Sequence, residues 1–198
     1  MFGQNFGGRM DTAAEQNLQA RRNAFHDTLF KEDDLGLVIR GHIHVENELI
    51  EFIKIRLSPP NAVDALSLGY KEKCKLAKVL GMPRALQAPL SYAGNLRNKF
   101  AHNLGVTIGK QEADSFNIAL KEHGIEYFQE AYHRIYPTST KRLNFWNAHD
   151  FEPKNRIVIS LILLWSGLAV ANIEARAGKR ILGERSTAPL APGEPQNI

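Results

Sequence analysis

Arg97, Asn98 and His102 stand in one hexapeptide, Arg97-Asn98-Lys99-Phe100-Ala101-His102, and bring a permanent cation, an amide and a titratable imidazole close together. An imidazole with a pKa of about 6.5 can take a proton from a ribose 2′-hydroxyl near neutral pH, and a second imidazole can return one to the leaving 5′-oxygen. A guanidinium is always charged and forked, so it can hold the phosphate and stabilise the charge growing on its oxygens. The amide can hydrogen-bond the phosphate or orient the imidazole. The chemistry within reach is metal-independent cleavage of RNA, with DNA resistant because it lacks the 2′-hydroxyl. No cofactor and no metal is called for.

These groups need a helix to position them. Pro89 suits the first turn of a helix running through the motif to Leu104, and Gly105 suits its end. Each helical residue advances about 100°, so Leu96, Phe100 and Leu104, with Ala93 beside them, form an apolar stripe for the core. Asn98 and His102 lie one above the other on the opposite side, with Asn95 just above them. Arg97 sits at the edge, about 140° from His102. Two arrangements would join guanidinium and imidazole: the helix bends or ends near His102, or two protomers cross their motif helices and pool their side chains. The second is preferred, because one imidazole cannot be base and acid at once whereas a symmetric pair divides the roles. The competing reading pairs Arg97 with Glu46 or Glu48 and leaves His102 on a backbone carbonyl.

The remaining elements also read as helices. Thr12 to Leu29 is polar and helical in propensity. After Asp33, apolar residues recur at steps of three and four to Leu57, where Ser58-Pro59-Pro60 ends the helix. A shorter helix spans about Leu68 to Leu80 and stops at Gly81 and Pro83; its Lys71, Glu72, Lys73, Lys75 and Lys78 read as a solvated face. Gly109 to Tyr136 reads as one helix broken near Gly124 or as two, with Ile118, Leu120, Ile125, Phe128 and Ile135 as inward candidates. Pro137 to Lys154 reads as a loop, followed by an apolar helix from Ile157 to about Ala177. From Gly183 the chain is proline-rich and poor in large apolar groups. No internal repeat or strand pair is visible.

Two smaller constellations have structural readings. His42 with Glu46, and His44 with Glu48, are spaced for helical pairs, whereas alternate residues diverge too far to chelate a metal together. Either carboxylate can also face the motif helix and orient Arg97 or His102, a supporting role shared with Asn95. Lys110, Lys121, His123, His133, Arg134, Lys141 and Arg142 interleave with Tyr132, Tyr136 and Trp146, a mixture able to bind single-stranded RNA, though such aromatics more often anchor a core.

Composition bounds the rest. A chain of 198 residues with 43% hydrophobic residues can bury a real core in one domain. We expect an N-terminal helical extension (1–30), an all-α domain of about five to seven helices (31–180) and a disordered tail (181–198). A net charge of +4, from 25 basic and 21 acidic residues, permits contact with nucleic acid without the basicity of a histone-like binder. The single cysteine, Cys74, suits a reducing cytoplasm, and residues 1–9 carry no apolar export signal. The run Ile157 to Ile173 is short for a membrane span and holds Ser160, Ser166 and Asn172, so a helix buried at the centre of a bundle is expected, with no membrane partner.

Arg97-Asn98, three residues and His102 on a helix resemble the signature of the HEPN superfamily. That resemblance implies a helical bundle, a homodimer across the motif helix and, in many members, metal-independent RNA cleavage by this Arg and His. A longer stretch is similar to the mannitol-operon-repressor-like family. It comprises Arg40 to Ile43, Glu46 to Leu49, Leu66 to Tyr70, Lys75 to Ala77, Leu80-Gly81 and Leu96 to His102. That family's label implies transcriptional regulation, here through a protein partner since no helix-turn-helix is evident. HEPN toxins under antitoxin control can carry a tyrosine two residues after the His; this chain has Leu104 there.

Overall fold

Helix-forming stretches separated by proline and glycine stops build the fold. The computed structural model describes residues 12–103, 105–121, 124–135 and 151–178. They form α1 (Thr12–Lys31), α2 (Asp34–Arg56), a 3-10 helix (Pro60–Leu66), α3 (Tyr70–Val79), α4 (Arg84–His102), α5 (Lys110–Lys121), α6 (Ile125–Ile135) and α7 (Pro153–Arg176). The chain is an all-α bundle, with no strand among the described residues. The proposed tail 181–198, the first eleven residues and Leu104, His123, Tyr136, Lys141, Arg142, Phe145 and Trp146 lie outside the described residues.

Asp33 caps α2 by accepting the Gly36 N–H at 2.7 Å, which satisfies one of the amides a helix start leaves unpaired. The α3–α4 turn closes through the Met82 N–H on the Ala77 carbonyl at 3.0 Å, with Gly81 at φ 88° where a side chain would be strained. Gly124 at φ 132° likewise divides α5 from α6.

The core forms around α7, which packs against α2, α4, α5 and α6. Among the described residues this is the one helix long and apolar enough to cross a membrane, and 89% of its most apolar stretch is buried within the bundle. Such burial stabilises by about 1.5–3 kcal/mol per large apolar side chain. The two buried serines of α7 are satisfied within the helix: Ser160 and Ser166 donate to the carbonyls of Arg156 and Ile162 one turn back, at 2.9 and 2.7 Å. Phe25 and Leu29 of α1 also enter this core, and the Phe25 ring stacks on Trp165 with centroids 5.4 Å apart.

Three sequence expectations shift. The motif helix begins at Arg84, so Pro89 is inside α4, where it is buried and leaves one ladder bond unmade; burial against the core offsets that loss. Its C-terminal end comes at His102, before Leu104. Ile118 is exposed, because the inward face of α5 is set by Ala113, Phe116 and Leu120, and Ile118 lies about 200° round the helix from Phe116.

Candidate functional site

The periodicity of α4 sorts its residues as its sequence requires. Ala93, Leu96 and Phe100 are buried, Asn95, Asn98 and His102 are exposed, and Arg97 is half-buried at the edge. Asn103 ends the helix in an extended conformation, and its Nδ2 donates to the Lys99 carbonyl at 2.9 Å. His102 is therefore the last helical residue. Arg97 is still helical, so it remains about 140° from His102 around the axis; within one protomer the two side chains leave α4 in different directions.

Each edge of α4 is fastened. On one side Lys99 donates to Glu112 of α5 at 2.5 Å, and the second oxygen of Glu112 accepts the Gly109 N–H at 3.0 Å. The Lys99 hydrogen bond holds the Glu112 carboxyl below its usual range. Tyr92 adds a hydrogen bond to the Glu112 carbonyl at 2.8 Å. On the other side the Tyr70 ring of α3 lies against Gly94, where an added Cβ would come 2.5 Å from Tyr70 Cε1. The Tyr70 hydroxyl donates to the Leu90 carbonyl at 2.8 Å.

His42 of α2 completes this second edge. Its ring packs on Tyr70 with centroids 4.4 Å apart, its Nδ1 is 3.8 Å from Glu46 Oε2, and its buried Nε2 has no hydrogen-bond partner among the described residues. Burial pushes the imidazole down to about 4 against the pull of Glu46, and the positive charges of Arg97 and Lys73 add to the depression. The charge of Arg97 also bears on Tyr70. The Arg97 charge is thus close enough to be felt by both rings, as is that of Glu46.

The two carboxylates considered as supports part company. Glu46 accepts from Lys73 at 2.8 Å. Glu48 is buried on another face of α2, where it accepts from Arg21 at 2.7 Å and from Asn172 at 2.8 Å; it therefore faces α1 and α7 rather than the motif helix. Neither carboxylate pairs with Arg97. Among the described residues, Arg97 and His102 have no hydrogen-bond or ion-pair partner, in contrast to Lys99 between them. His44, expected to pair with Glu48, packs on Phe25 at 5.4 Å. Among the described residues no three His, Cys, Asp or Glu side chains gather as metal ligands.

Sequence reasoning missed the wall made by Tyr70 and His42 beside Arg97. The only local signal was Gly94 three residues before Arg97, too weak to identify which helix approaches there. Beside this region, α2 carries an apolar row at four-residue spacing: Leu35 and Ile43 are exposed and Ile39 is half-buried. The row begins near the connection that follows α4, since the Ile108 N–H donates to Asp34 at 2.9 Å.

No family model, no curated protein and no solved structure matches the chain.

Proposed function

We propose that this chain is a HEPN-like RNA-binding protein that cleaves RNA without a metal, at a site completed by a second copy of itself. The observation that carries the reading is the unpaired state of Arg97 and His102 on the outer side of a helix whose neighbouring cation, Lys99, is tied down. Arg21, Arg134 and Arg156, which tie helices of the bundle together, each have a carboxylate partner, and Arg97 has none among the described residues. The angular separation of Arg97 and His102 argues for two protomers, and the apolar row of Leu35, Ile39 and Ile43 provides a surface that a second copy would cover beside the motif.

In this assembly one His102 takes the proton from the 2′-hydroxyl while the 2′-oxygen attacks phosphorus. The other His102 delivers a proton to the departing 5′-oxygen, leaving a 2′,3′-cyclic phosphate. Arg97 stabilises the phosphorane charge and Asn98 orients the phosphate or the imidazole. The test is incubation of purified protein with mixed RNA and a chelator, comparing wild type with Arg97→Ala and His102→Ala. Cyclic-phosphate product from the wild type alone is expected; equal inactivity of all three proteins overturns the nuclease reading.

A further inference from the structure

Between α3 and α4 lies a groove of about 200 Å³ that the chemistry above does not use. Its floor is apolar, from Cys74, Met82 and Leu90, and its rim carries Lys71, Lys75 and Lys78. These lysines recur at i, i+4 and i+7, so they form one row about 10 Å long on the outer side of α3. All three are exposed, and none has a carboxylate partner among the described residues. Lys73, on the opposite side of the same helix, is instead spent on Glu46. Their alignment sets three unpaired cations along one wall of an apolar trough.

The direction of the row links it to the motif. The tight turn after α3 makes α3 and α4 antiparallel, so Lys78 lies toward the start of α4 and Lys71 follows Tyr70, whose ring rests on Gly94 one turn before Arg97. From the groove wall, α4 then continues a polar stripe to the motif: Gln87, Ser91, Asn95, Asn98 and His102 fall within about 80° of arc. Ser91 and His102 are about 16 Å apart along the axis.

We infer that this groove is the strand-binding extension of the Arg97/His102 site, holding single-stranded RNA on one side of the scissile phosphate; the inference rests on the RNA reading of that site. Lys71, Lys75 and Lys78 neutralise successive phosphates, and the apolar floor receives a base face, a combination that binds single strands without reading sequence. The trough has room for a base-sized group and not for a duplex. The stripe from Ser91 to His102 spans about five nucleotides at the stacked spacing of about 3.4 Å, and fewer in an extended strand.

The experiment separates binding from cleavage by using 2′-O-methyl RNA, which has no free 2′-hydroxyl. The variant Lys71→Gln/Lys75→Gln/Lys78→Gln should bind it at least ten-fold more weakly at 0.1 M salt, with a salt slope shallower by about two, from about 0.7 per lost phosphate contact. Lys31→Gln on α1 should bind as the wild type does. The same RNA should slow alkylation of Cys74, the chain's single cysteine on the groove floor. An unchanged slope in the triple variant, a wild type that binds no RNA, or protection of Cys74 by polyglutamate and not by RNA would each overturn the inference. Failure of the two readings is distinguishable. Groove-dependent binding without cleavage removes the nuclease and keeps the groove, whereas cleavage with unaltered binding by the triple variant removes the groove and keeps the nuclease.

Discussion

The seam where α1, α2 and α7 meet and the face made by α3 and α4 use charge in opposite ways. In the seam, Glu48 is enclosed by Arg21 and Asn172, and around α7 Arg134 pairs with Glu174, Arg156 with Asp114 and Arg176 with Glu51. Buried charge without such partners would cost several kcal/mol, so the seam is electrostatically closed. On the α3–α4 face, Lys71, Lys75, Lys78, Arg97 and His102 have no such partner among the described residues. Charge that holds the fold together is matched, whereas these five basic groups share one face without carboxylate partners among the described residues.

The largest effect that would break this contrast is catalytic. Removing the imidazole in His102→Ala should lower RNA cleavage by roughly 10²- to 10⁴-fold. Because His102 is exposed, the unfolding free energy should stay within about 0.5 kcal/mol of wild type. A variant that loses activity only by unfolding would put His102 in the structural class with Glu48.

The closed seam makes the converse prediction. Glu48→Ala strips Arg21 and Asn172 of their shared acceptor and should cost about 3 kcal/mol in urea unfolding, while RNA cleavage by the folded fraction persists. Glu48→Gln, which still accepts from Asn172, should lose less.

Acid sharpens the comparison at the wall behind Arg97. His42 in the folded chain titrates near 4, below its ordinary 6.5, so the unfolded chain binds the extra proton first as pH falls. The stability His42 contributes is therefore fully present above about pH 6.5 and is lost between 6.5 and about 4, by roughly 3 kcal/mol at most. His26 and His44 are depressed in the same direction, so the diagnostic is the difference between wild type and His42→Gln, whose urea midpoint should fall less steeply across that window.

The smallest effect concerns the fit of α3 on α4. Gly94→Ala places a methyl group against the Tyr70 ring and should cost about 1–3 kcal/mol. The displaced ring should also weaken cleavage through Arg97, raising KM more than it lowers kcat. Gly105→Ala, which meets nothing within 4 Å, is the control and should leave stability within about 0.5 kcal/mol.

Much of the architecture was legible in the residues themselves. The proline pair at Pro59-Pro60, Gly81 with Pro83, and Gly124 mark breaks because each acts on its own backbone. The inward stripe of Ala93, Leu96 and Phe100 and the central place of the α7 helix follow from periodicity and hydrophobicity within one segment. The start of α4 was not legible, because Pro89 resembles a first-turn residue and its tolerance inside the helix depends on what packs around it. The motif was visible as a set of residue types on one helix, while the state of its charges was not.

Only the tertiary structure decided which cation meets which carboxylate. Glu46 and Glu48 look equivalent in the sequence, yet their partners are Lys73 for one and Arg21 with Asn172 for the other, 27 and 124 residues away. A helix's periodicity is written within its own residues, because one backbone generates it. An ion pair needs two helix surfaces brought into register by burial of the whole core, and that docking gives Glu46 to Lys73 and leaves Arg97 without a carboxylate partner among the described residues.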